Sequence, residues 1–104
     1  MSLFSNQRIL VTGACGTVGS ELIRHLITDP HYTPAEVIGL DNNESALFFL
    51  DQQYLSSPHA RFFVADIRDR DELNRKMHGV DIVFHAAAYK HVELNRFADQ
   101  HRTR

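Results

Sequence analysis

The chain has 104 residues, 43% hydrophobic and 23% charged, with a net charge of −2 when its histidines are neutral. These values suit at most one globular domain, and without a basic run nucleic acid is not an expected partner. No stretch approaches the roughly 20 apolar residues of a membrane span, no signal peptide precedes the first apolar run, and the single Cys15 rules out an intrachain disulfide, so a cytoplasmic setting is expected.

The first apolar run, Ile9 to Val11, reads as a buried strand and leads directly into glycines at 13, 16 and 19. Gly13 can turn the chain with a positive φ, Gly16 lets backbone approach a pyrophosphate, and Gly19 lets the next helix pack close to the strand. That helix carries Val18, Leu22, Ile23, Leu26 and Ile27 on one face and stops at Asp29-Pro30. A strand before the glycines and a helix after them is the context of a dinucleotide-binding turn, with phosphates at the helix N-terminus; a purely structural glycine turn is the alternative.

The second strand, Val37 to Leu40, ends at Asp41. An acid at this distance from the glycines suits the ribose hydroxyls of an adenosine and repels a 2′-phosphate, so NAD is favoured over NADP; a helix cap is the other reading of Asp41. The second helix is expected from about Glu44 to Tyr54 with Asn43 as cap, and Ser56-Ser57-Pro58 breaks it. The third strand is read as Arg61 to Ala65. The third helix starts at Asp69, with Glu72 completing an acidic capping box, and ends at His78-Gly79. Leu73 and Met77 are its inward residues, and the fourth strand is read as Asp81 to His85, running into Ala86, Ala87 and Ala88.

This alternation predicts an α/β fold, half of a Rossmann domain, with four parallel strands in the order 3-2-1-4 and right-handed crossovers. Helices one and two then share one face of the sheet, and the short third helix is left to cover the other. The fourth strand has an open edge through which the chain could self-associate.

Four motifs together resemble the extended short-chain dehydrogenase/reductases: Thr12 to Gly19, Leu40 to Glu44, Ala65-Asp66-Ile67-Arg68-Asp69, and His85-Ala86-Ala87-Ala88-Tyr89-Lys90-His91-Val92. The last is similar to the CapD-like polysaccharide-biosynthesis branch, which includes UDP-N-acetylglucosamine 4,6-dehydratases. The resemblance covers residues 8 to about 94 and corresponds to an N-terminal part. It implies that Gly13, Gly16 and Gly19, with the backbone of Thr17 and Val18, line a pyrophosphate. Asp41 would hold the ribose, Asp66 would accept from the adenine amine, and Ile67 would present its backbone to the ring. Ala86, Ala87 and Ala88 would wall the cofactor, while Lys90 and His91 would sit on the substrate-side loop.

Other readings stand beside these. Asp66 could organise its loop, Lys90 and His91 could be solvated, and Cys15 suits a small loop filler more than a reactive thiol. The histidines at 25, 31, 59, 78 and 101 show no metal-ligand spacing, so no metal is expected.

The resemblance further implies a reaction in which a hydride leaves C4 of a nucleotide sugar, water leaves C6, and the hydride returns there. The family's Tyr-x-x-x-Lys is not found in these 104 residues, and Tyr89-Lys90 is adjacent, so no catalytic residue is assigned. After Leu94 the chain turns polar. The expected organisation is a partial NAD(P)-binding domain over residues 1–94 with an atypical tail over 95–104, from a truncated or prematurely terminated member that is inactive alone and would meet UDP-sugar only in a full-length relative. Alternatives are a fragment of another short-chain oxidoreductase, or a non-catalytic dinucleotide-binding or self-associating module.

Overall fold

The computed structural model describes residues 3–86. Ala87, Ala88, Lys90, His91 and the 95–104 segment lie outside the described residues. The elements are β1 (Arg8–Thr12), α1 (Thr17–Thr28), β2 (Glu36–Asp41), α2 (Glu44–Gln53), β3 (Ala60–Val64), α3 (Arg70–Met77) and β4 (Ile82–His85). All strand pairs are parallel, in the order β3-β2-β1-β4, as the alternation of elements predicts.

The pleat divides the core into two layers, because successive side chains of a strand face opposite sides. Ile9, Val11 and Val37 face α1 and α2, packing with Ile23, Leu26, Leu47, Leu50 and Tyr54. Leu10, Ile38 and Leu40 face the other side with Ala65, where Leu73, Met77, Val80 and Val83 pack against them. None of the residues of α3 is fully buried, so this second layer is thinly covered. Phe63 is exposed beside it, with the Lys76 ammonium 4.2 Å from its ring centre.

Several local expectations shift. Val18 is 51% exposed and does not join the apolar face of α1, because it lies in the first turn, at the rim of the sheet. The third strand runs from Ala60 to Val64, one residue earlier than expected. The ladder begins early there, with the Val37 N–H donating to the His59 carbonyl at 2.9 Å. Only half of the capping box forms at α3. Asp69 accepts from the Glu72 N–H at 3.2 Å, while the Glu72 carboxylate turns to Arg75 and Lys76.

The edge of the sheet at the strand N-termini is tied by charge. Glu36, with a side chain only 16% exposed, accepts from Arg8 Nε at 2.7 Å and from Arg61 Nε at 2.6 Å. Asp81 and Arg8 exchange two further bonds: Arg8 N–H to the Asp81 carboxylate and Asp81 N–H to the Arg8 carbonyl, each 2.8 Å. These links join β3, β2, β1 and the start of β4 at the end away from the glycine turn.

Candidate functional site

Three loops meet at the opposite edge, where β1, β2 and β3 end. Gly13 turns the chain with a φ of 71°, a conformation that side chains disfavour. The next residue, Ala14, donates its N–H to the Leu40 carbonyl at 3.0 Å, which ties the turn to the end of β2. Gly16 then begins α1 with a φ of −76°, which any residue adopts, so dihedral strain is not its reason for being glycine. Gly19 is buried against the turn: a Cβ there would collide with the Gly13 carbonyl oxygen and lie 2.8 Å from Gly13 C.

The N-terminus of α1 differs from the other two. Asn43 caps α2 through the Ala46 N–H, Asp69 caps α3 through the Glu72 N–H, and both helices carry acids in their first turn. At α1 the cap residue is Gly16, with no side-chain cap and no acid in the first turn. Its first amides, at Thr17 and Val18, and the positive end of the dipole therefore face the turn with no negative group supplied by the helix itself.

Asp41 closes the corner. One carboxylate oxygen accepts from the Cys15 N–H at 2.9 Å and the other from the Asn43 N–H at 2.9 Å. The cap of α2 is Asn43, so Asp41 is left for other work. The Cys15 thiol also hydrogen-bonds this carboxylate, which leaves one of its roughly four acceptor sites. The ladder between β2 and β3 continues one step further, with the Ala65 N–H donating to the Asp41 carbonyl at 3.0 Å. That bond brings the Asp66 loop beside Asp41.

Asp66 is engaged by its own loop. Arg68 Nε lies 3.0 and 3.2 Å from its two oxygens, Arg68 Nη2 is 2.8 Å from the second, and the Arg68 N–H donates to the first at 2.9 Å. The guanidinium and the amide hold the Asp66 carboxyl down at about 2, well below the ordinary carboxylate range. Ile67 follows, half-buried.

Cys15 stands between turn and acid. Burial first, then the charge of Asp41 and the thiol's hydrogen bond to it, raises the thiol to about 11, which keeps it a neutral small group and fits the loop-filler reading. On the β4 side, Thr12 is buried and its hydroxyl lies 3.2 Å from His85 Nδ1. Burial lowers the His85 pKa. Ala86 follows, buried; Ala87, Ala88, Lys90 and His91 lie beyond the described residues.

The glycine turn, Asp41 and Asp66 are thus brought to one corner, and Ala86 follows the end of β4 on the other side of β1. Reading the sequence alone missed Arg68 and the Cys15 amide. Arg68 lay inside a quoted motif, and its spacing of two from Asp66 was the available signal. Among the described residues, no group of His, Cys, Asp and Glu could hold a metal ion, and no helix is long and apolar enough to cross a membrane.

Residues 9–100 match the model of a family described as polysaccharide biosynthesis protein. A protein of Methanocaldococcus jannaschii named an uncharacterized membrane protein is 43% identical over 93 residues, covering 89% of this chain and 27% of its own length. The UDP-N-acetylglucosamine 4,6-dehydratase (inverting) of Campylobacter jejuni is 33% identical over 95 residues, covering 91% of this chain and 28% of its own length. The UDP-glucose-4-epimerase of Stenotrophomonas maltophila, solved with bound NAD and formylated UDP-arabinopyranose, superposes with a TM-score of 0.61 at 28% identity. The match covers 91% of this chain and 29% of that one. The chain therefore spans little more than a quarter of the length of these proteins.

Proposed function

Because the chain belongs to the polysaccharide biosynthesis protein family, within the extended short-chain dehydrogenase/reductases, we propose that it is the cofactor-holding portion of an enzyme that modifies nucleotide sugars by 4,6-dehydration or 4-epimerisation. The observation that carries this reading is the corner where an α1 N-terminus without a side-chain cap faces the glycine turn and Asp41 is tied to that turn by the Cys15 N–H. A dinucleotide fits those groups. Its phosphates are anions for a helix end that lacks one, and its ribose diol has a hydroxyl for the acceptor site left on Asp41.

Gly13, Gly16 and Gly19, with the amides of Thr17 and Val18, bind the pyrophosphate. Asp41 orients the ribose and disfavours a 2′-phosphate, so NAD is the preferred form. Asp66 and the backbone of Ile67 receive the adenine. Ala86, at the end of β4, walls the cofactor. When bound, the nicotinamide supplies a hydride acceptor and donor for the sugar carbon. The protein's share is orientation, and no proton-transfer role is assigned to the described residues. The chain alone does not turn over a UDP-sugar.

The test is a thermal shift on the purified chain, since a ligand that binds the folded state raises apparent stability. NAD is expected to raise the melting temperature, NADP to raise it less, and UDP-N-acetylglucosamine alone to leave it unchanged. An equal shift with NADP removes the role given to Asp41. A shift with UDP-sugar alone, or dehydrated product in a turnover assay, contradicts the division of labour.

A further inference from the structure

We propose that Arg68 is a positioning residue for adenine recognition: its guanidinium fixes the plane of the Asp66 carboxylate so that one acceptor site remains for an exocyclic amine. The inference rests on the dinucleotide reading and adds the base-selectivity device to it.

The argument begins with how the pair is built. Arg68 is 82% exposed, yet its side chain folds back onto a residue two positions earlier and meets both carboxylate oxygens. An exposed ion pair adds little to stability, so its effect lies in geometry. A carboxylate offers about four acceptor sites. One Asp66 oxygen takes two bonds, from the Arg68 amide and from Nε at 3.0 Å. The other takes Nη2 at 2.8 Å, and the same Nε–H reaches it by a longer leg at 3.2 Å; three N–H groups thus meet about four acceptor sites, which leaves one on this oxygen. An adenine amine can fill that site. The carbonyl of hypoxanthine cannot, because it brings a second acceptor to an acceptor.

The loop does not need the guanidinium to keep its shape. The Asp69 N–H closes the turn on the Asp66 carbonyl at 2.9 Å, and the Arg68 amide stays on the carboxylate whatever side chain follows. Arg68→Ala therefore removes the fork alone. Arg68→Lys restores a charge without the planar fork.

Titration calorimetry of the purified chain with NAD and with nicotinamide hypoxanthine dinucleotide reads the outcome, with circular dichroism confirming that each variant is folded. The wild type is expected to prefer NAD by about tenfold, in line with the loss when one charged hydrogen bond is unmade. Arg68→Ala should bring that preference down to about twofold, chiefly by weakening NAD, and Arg68→Lys should fall between. A preference that is unchanged or larger in Arg68→Ala overturns the role of Arg68 while leaving the dinucleotide reading intact. A wild type that binds NAD without preferring it overturns both this role and the adenine contact of Asp66. No NAD binding at all overturns the inference together with the reading beneath it.

Discussion

Gly19→Ala sets two effects of opposite sign against each other in one helix. Alanine in place of a helical glycine stabilises by roughly 0.5–1 kcal/mol, because the unfolded chain loses less freedom. The added Cβ, however, would collide with the Gly13 carbonyl oxygen and sit 2.8 Å from Gly13 C and 3.1 Å from Ala14 Cα. Carbon contacts are comfortable at about 3.5–4.0 Å. Every atom in the way is backbone, and that backbone is pinned by Ala14 N–H on Leu40 and Cys15 N–H on Asp41. Relief must move α1 away from the sheet, where Ile23 and Leu26 are buried. Overpacking of this kind costs about 1–3 kcal/mol, and the rigid surroundings place it at the upper end. The net expectation is a loss of about 2 kcal/mol, or roughly 10 °C in melting temperature for a domain of this size. Scanning calorimetry of wild type and Gly19→Ala measures it. A variant that melts at or above the wild type would show that the helix gain exceeds the contact, and the close-packing argument would fail.

Two further perturbations test the opposite edge and the thiol. Glu36→Gln removes the charge that Arg8 and Arg61 share, and the half-buried position makes this cost about 1–2 kcal/mol. The expected sign is a lower urea midpoint with an unchanged slope; an unchanged midpoint would mean the arginines are satisfied by water. For Cys15, the neutral thiol is favoured in the fold, so this contribution to stability is complete below about 8.5 and declines as pH rises toward 11. Alkylation by iodoacetamide should accelerate with pH to a midpoint near 11. In Asp41→Asn that midpoint should fall yet stay above the ordinary value, since burial, the larger cause, remains; a midpoint that does not move excludes Asp41 as a cause.

The parts of the fold that were legible are those where one physical requirement dominates. Strand-to-helix alternation leaves few topologies, and the order β3-β2-β1-β4 follows from right-handed crossovers. Gly13 and Gly19 could be read because a positive φ and a close helix contact both exclude larger residues. Less legible was β3, where Phe62, Phe63 and Val64 are apolar on both faces and carry no period-two signal to fix the ends. The N-terminal segment escaped as well. Leu3 bridges to Tyr32, and Phe4 stacks on Tyr32 with ring centres 5.8 Å apart; both are pairings that depend on how far apart folding leaves two distant turns. Arg68 was hidden for a related reason. A contact between residues two apart requires a particular non-helical loop, and no periodicity announces it.

The two ends of the sheet therefore carry different burdens. At the N-terminal edge, Glu36 gathers Arg8 and Arg61, and Asp81 closes on Arg8, so carboxylates there are consumed by partners within the fold. At the C-terminal edge, Asp41 spends its oxygens on two amides and the Cys15 thiol and keeps one acceptor site. Asp66 leans on Arg68 yet keeps one. α1, unlike α2 and α3, begins without a side-chain cap. Parallel strands make this asymmetry available, because every crossover returns the chain to the same edge and every strand delivers its loop to the other. Stability concentrated at one edge leaves the other free to keep the unfilled donors and acceptors that a ligand can complete.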